Sequence, residues 1–119
     1  MIPLLLIAFT LNHRPLFDAI RQEESKDGVE PFGDGGRSLG DYHISRAYWT
    51  DGCEFGNLNW PYDSLVWSRW HSEQVMLCYW SRYGAKTDEQ KARMHNGGGP
   101  KGMRKASTLR YWRRIRKGL

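Results

Sequence analysis

Apolar residues along the chain recur at helical spacing in several stretches and alternate in one. Leu16, Phe17 and Ile20 lie on one helical face behind Pro15, a residue suited to a first turn, so a helix is predicted from there. It should fail near Lys26–Gly28, where "KDGVEP" has the composition of a turn. Residues 33–44 read as a glycine-rich loop and hairpin, with Leu39, Tyr42 and Ile44 as strand positions. "GCEFGNLNWPY" at 52–62, with two glycines and a proline, reads as a connection. The longest helix is predicted from Ser64 to Tyr83, capped by Asp63 or Ser64 and ended by Gly84, with Val66, Trp70, Leu77 and Trp80 on its core face. "TDEQ" at 87–90 fits a capping box for a short helix that should stop at Asn96 and Gly97. A last helix over 107–117 turns Leu109, Trp112 and Ile115 inward. The sum is an α+β fold, mainly helical, with one small β-hairpin.

The first residues follow a different pattern. Ile2 to Phe9 are almost wholly apolar, too short a run to span a bilayer. The run has the core length of an export signal, without a preceding basic residue or a clear cleavage site. Residues 1–12 are therefore set apart, either as a signal remnant or as a buried segment, from a single domain at 13–119. That size supports one modest core.

Charge divides the chain again. Residues 1–90 carry 8 Lys/Arg against 13 Asp/Glu, a balance of −5, whereas 91–119 carry 10 Lys/Arg and no acid. A cationic third of this kind attracts polyanions, among which charge alone does not choose. The two cysteines, Cys53 and Cys78, have no zinc-type spacing, so no metal is expected and one disulfide or two thiols remain open. Six Trp and six Tyr are many for 119 residues. Large rings fill a core, and exposed ones suit the C–H faces of sugars.

Two carboxylates stand out. Glu24 lies four residues after Ile20 and extends its stripe, whereas Glu23 is rotated by about 100°. A half-buried carboxyl at the negative end of a helix is expected to hold its proton, as a general acid must. The competing reading is a solvated glutamate paired with Arg21 or Lys26. Asp34 sits in "GDGG", where the backbone approaches closely and hydrogen bonds favour the ionised form; the competing reading is a turn cap. One neutral acid opposite one anion is the division of labour of glycoside hydrolases. His95 and Asn96 serve either to stop a helix or to bind N-acetyl and hydroxyl groups.

"IRQEES" at 20–25, "GDYHI" at 40–44, "YWTD" at 48–51, "HNGGGPKG" at 95–102, "STL" at 107–109 and "YW" at 111–112 form an ordered series. Together they resemble the invertebrate-type lysozymes, or destabilase family, across residues 20–112. The resemblance implies a lysozyme-like fold and a muramidase that cleaves the β-1,4 bond between N-acetylmuramic acid and N-acetylglucosamine. By it Glu24 matches the proton donor and Asp34 the nucleophile or stabilising carboxylate, with Asp41 and Asp27 as alternatives for the second role. Tyr42, His43, Ser45, Tyr48, Trp49, Asp51, Tyr79, His95, Asn96 and Gly97 fall where the family holds the sugar. No cofactor is implied. The implied partners are peptidoglycan or a chitin-like oligosaccharide and an anionic cell wall, met by a secreted or periplasmic monomer without a transmembrane segment.

The sequence also departs from the family. Its disulfide-rich pattern is reduced here to two cysteines, the loop before Tyr42 is shorter, and an amide in "GYFQI" is replaced by His43. Other functions fit less. A non-enzymatic cationic wall binder uses only the charge, and an isopeptidase needs a serine such as Ser45 beside a base, with no G-x-S-x-G elbow present. Residues 101–117 show no recognised nucleic-acid module, so no specific nucleic acid is expected.

Overall fold

A computed structural model describes residues 12–119. The apolar segment set apart at 1–12 lies, but for its last residue, outside the described residues. Helix α1 spans Arg14–Ser25 with Pro15 in its first turn, and Leu16, Phe17 and Ile20 are buried as their spacing requires. It ends where Lys26 turns left-handed at φ 51°. Ser25 secures that end by donating to the carbonyl of Asp41 and accepting from Gly28 N.

The hairpin segment is a three-stranded antiparallel sheet. β1 (Phe32–Gly33) pairs with β2 (Ser38–Leu39), which pairs with β3 (Ile44–Ser45). Tyr42 is not a strand residue, contrary to the alternation. Gly40 and His43, both at positive φ, make residues 40–43 a turn whose Tyr42 ring is driven into the core.

Two further expectations are corrected. Residues 52–56 are not a connection: α2 runs Arg46–Gly56, capped by the Ser45 hydroxyl, which accepts from Tyr48 N. Gly52 is where this helix meets its neighbour, since a Cβ there would lie 2.8 Å from the carbonyl oxygen of Val75. The predicted helix from Ser64 to Tyr83 is two, α3 (Tyr62–Leu65) and α4 (Arg69–Arg82). Ser68 is extended between them and its hydroxyl starts α4 by accepting from His71 N. α4 is buried on more than the expected stripe: Ser72, Glu73, Gln74, Val75, Met76, Tyr79 and Trp80 are inside, while Trp70 and Leu77 are half-buried.

The capping box forms between Thr87 and Gln90 at the start of α5 (Asp88–Gly97). This helix includes Asn96 and ends at Gly97, and the positive φ falls on Gly98 and Gly99 instead. α6 (Gly99–Gly102) and α7 (Ala106–Arg116) complete the chain. The inward residues of α7 are Thr108, Tyr111 and Ile115, so the stripe is one position from Leu109 and Trp112, which are half-exposed. Phe17 stacks on Trp80 at the centre, and both cysteines are free thiols. Among the described residues no helix is long and apolar enough to cross a membrane.

Candidate active site

A cleft of about 400 Å³ opens between the C-terminal end of α1, the sheet and its 3-10 turn, α2, and the end of α5. Glu24, Asp34, His43, Ser45, Tyr48, Asp51, Tyr79, His95, Asn96 and Gly97 all line it. Trp49 and Tyr42 do not. Trp49 is buried against Tyr62 with its indole donating to the carbonyl of Trp60. The Tyr42 ring is buried behind the cleft, where its hydroxyl accepts from Arg21 and donates to Glu73.

Glu24 enters from the last turn of α1 with its side chain 16 % exposed. The cations near it in sequence are used elsewhere: Arg21 bonds Asp18, Asp27 and Tyr42, and Lys26 pairs with Glu30. Adjacent Glu23 points away and pairs with Arg114 of α7. What meets Glu24 instead is imidazole, with His43 Nδ1 at 3.4 Å from Oε1 and His95 Nε2 at 3.9 Å from Oε2. The buried hydroxyl of Tyr111 lies behind it. Burial raises that phenol well above its ordinary pKa, with the charge of Glu24 adding to the effect.

The two histidines differ. His95 Nε2 donates to the carbonyl of Tyr42 at 2.8 Å, so its Nδ1 accepts from the Tyr48 hydroxyl at 3.0 Å. Burial lowers its pKa below the ordinary value and keeps the ring neutral. Tyr48 in turn stacks on Tyr79 with centroids 3.8 Å apart, and Tyr79 accepts from Gly99 N. His43, in contrast, has a raised pKa, first through Glu24 and, against the effect of burial, through the Glu30 carbonyl. Its ring lies on Gly33, where a Cβ would sit 2.6 Å from Nδ1.

Asp34 begins the 3-10 turn Asp34–Gly36 with φ 52°, a conformation Asp tolerates better than most residues. Its Oδ2 accepts from the Ser38 hydroxyl at 2.9 Å. The donor is thus a side chain, Ser38, and not the backbone of the glycine-rich loop as the sequence suggests. The strand register opposite Gly33 is what brings it to the cleft. Asp41 and Asp27 do not reach the cleft because each is held by Arg69, and Asp27 also by Arg21. Ser45 spends its hydroxyl on capping α2, and the His43 nitrogens face Glu24 and Glu30, so no serine–imidazole pair forms between them. Asp51 takes part in the cleft wall while bonded to Arg82 and Tyr83. Among the described residues no cluster of three His, Cys, Asp or Glu converges as metal ligands would. The arrangement offers a poorly solvated carboxyl on one wall and a hydrogen-bonded carboxylate from the turn, with aromatic, amide and imidazole groups between.

No family model matches the chain. It is 39% identical over 80 residues to lysozyme 1 of Crassostrea virginica, a stretch covering 66% of this chain and 43% of that protein. Against a lysozyme of Meretrix lusoria it is 35% identical over 88 residues, covering 70% of this chain and 69% of the other. The chain thus spans under half of the first relative and about two thirds of the second. The crystal structure of inhibitor-bound lysozyme from Meretrix lusoria superposes with a TM-score of 0.72 at 33% identity, covering 87% of each chain.

Proposed function

The chain belongs to the invertebrate-type lysozyme family, and from that premise we propose that it hydrolyses the β-1,4 bond between N-acetylmuramic acid and N-acetylglucosamine in peptidoglycan. The observation that carries this reading is that Glu24 and Asp34 border the same cleft from different elements. Glu24 protonates the glycosidic oxygen as the C–O bond breaks. Asp34 stabilises or attacks the anomeric carbon, and water completes hydrolysis. Tyr48, Tyr79, Asn96 and Asp51 supply the surfaces and polar groups that orient sugar rings and their N-acetyl arms. Lys101, Arg104, Arg110, Arg113 and Arg116, all exposed, hold the protein to an anionic wall in a salt-sensitive way. The protein acts as a secreted or periplasmic monomer.

Mass analysis of fragments released from purified cell wall tests the reaction. New reducing ends at muramic acid are expected; 1,6-anhydro ends or freed amines would overturn it. Glu24→Gln should reduce release by about 10²–10⁴-fold, the usual contribution of a general acid. A variant that clears walls as well as the parent would instead mark a charge-driven binder.

A further inference from the structure

The neighbour of Glu24 is an imidazole with one nitrogen already committed. His43 Nε2 lies 2.6 Å from the carbonyl oxygen of Glu30. A carbonyl only accepts, so Nε2 carries a hydrogen. The remaining nitrogen, Nδ1, faces Glu24 Oε1 at 3.4 Å. Without a further proton this contact sets a bare lone pair against a carboxylate oxygen, two acceptors that repel. A proton on either atom turns the contact into an attraction. On Nδ1 it makes an imidazolium–carboxylate pair; on Oε1 it makes a carboxylic acid donating to neutral imidazole.

We propose that His43 and Glu24 hold this proton jointly, and that His43 is a positioning residue that keeps Glu24 supplied as the acid. The inference rests on the glycosidase reading above.

The surroundings decide where the proton sits. The His43 ring is fixed on Gly33, which leaves no room for a Cβ, and its side chain is 12 % exposed. Asp34 also faces it and favours its charged form. On the other side of Glu24, His95 is buried and neutral, and the phenols of Tyr48 and Tyr111 are buried and protonated. The carboxylate of Glu30 is turned to Lys26 at 2.7 Å. While the cleft is solvated, Glu24 and Asp34 favour the charged ring of His43, and with it the imidazolium–carboxylate form. A sugar ring over Glu24 removes water from both charges, and the neutral form, with the proton on Glu24, gains relative to it. That proton passes to the glycosidic oxygen as the C–O bond breaks, leaving the Glu24 carboxylate and a neutral His43. The water that completes hydrolysis returns one proton to the couple. The acid is lost only when the couple loses its last proton, so the alkaline limb of kcat belongs to the pair rather than to a lone carboxyl.

Two measurements on the full chain test this. The first is the NMR titration of the His43 imidazole in the parent and in Glu24→Gln. A shared proton lowers the His43 midpoint in the variant by about half a pH unit or more. An unchanged midpoint overturns the proposal. This readout needs no turnover, so it stands apart from the glycosidase reading, which fails if Glu24→Gln still releases reducing ends. The second is the pH dependence of kcat in His43→Gln. The alkaline limb is expected to move to lower pH by about one unit. A uniform loss of kcat with the limb in place makes His43 merely structural and overturns the proposal. Should His43→Gln fail to fold, the imidazole titration decides alone.

Discussion

The His95 imidazole and the Tyr42 backbone are joined by a 2.8 Å hydrogen bond from Nε2 to the carbonyl oxygen. This ties the end of α5 to the turn that carries His43. Tyr42 is itself anchored in the core through its hydroxyl, which donates to Glu73. One wall of the cleft is thereby built on a buried polar chain running from Glu73 through Tyr42 and His95 to Tyr48.

His95 makes that chain pH-sensitive. Its pKa in the fold is lowered by burial, from an ordinary value near 6.5. The unfolded chain therefore binds its proton more readily than the folded one. Its contribution to stability is complete above about 6.5 and is lost as the pH falls toward the folded value. Thermal melts of the parent should drop on acidification below that point. In His95→Gln the same acid slope should be shallower, at a lower overall stability.

Ser38 should matter through Asp34. Its hydroxyl donates to Oδ2 of a carboxylate in an exposed turn with few other restraints. A hydrogen bond to a charged group is worth about 1.5–3 kcal/mol, which corresponds to about ten- to a hundredfold in rate if it acts in the transition state. Ser38→Ala is expected to lower kcat within that range and leave the melting temperature nearly unchanged. Asp34→Asn should lower kcat further, measured as reducing ends released from cell wall.

Much of this site is legible in the sequence because its parts are local. Helical spacing separates Glu24 from Glu23, and the structure sends one to the cleft and the other to Arg114. The capping box at Thr87 forms because all its atoms lie within one turn. What misleads is residue type read without its partner. The resemblance sets Trp49 and Tyr42 among the sugar-binding positions, yet Tyr62 and Glu73, distant in sequence, draw them into the core. Glu73 is an acid on an apolar face, and only the approach of Arg14 and Tyr42 accounts for its burial. In α7 the expected stripe is off by one position because Thr108 is taken inward by bonds to Gly102 and Lys105 carbonyls.

Gly52 is the other misleading signal, since a glycine within "TDGCEFG" reads as a break and is in fact a contact. A Cβ there would meet the Val75 carbonyl oxygen at 2.8 Å and Val75 Cγ1 at 2.9 Å, both closer than van der Waals contact allows. Gly52→Ala would raise the local helix propensity but must push α2 from α4. Overpacking of this kind costs about 1–3 kcal/mol, more than the propensity gain of about 1 kcal/mol. Urea unfolding should show a lower midpoint with an unchanged slope, and a stabilised variant would mean the two helices separate easily.

Glu73 provides the largest expected effect away from the cleft. Its carboxylate is almost fully buried, with Oε1 and Oε2 each bonded to a different guanidinium nitrogen of Arg14 and Oε2 also accepting from Tyr42. Arg14 is partly exposed, so removing Glu73 lets the guanidinium turn to water; the Tyr42 hydroxyl, inside the core, has no such escape. Breaking a fully buried pair costs about 3–5 kcal/mol, and one exposed partner places this case at the lower end. Glu73→Ala is therefore expected to lose about 3 kcal/mol in denaturant unfolding. Glu73→Gln should lose less, since an amide oxygen still accepts from Tyr42. Because the Tyr42 carbonyl holds His95, Glu73→Ala should also weaken sugar binding without altering the alkaline limb of kcat. A fall in affinity in Glu73→Ala that Glu73→Gln restores would trace the effect to the Tyr42 hydroxyl rather than to charge.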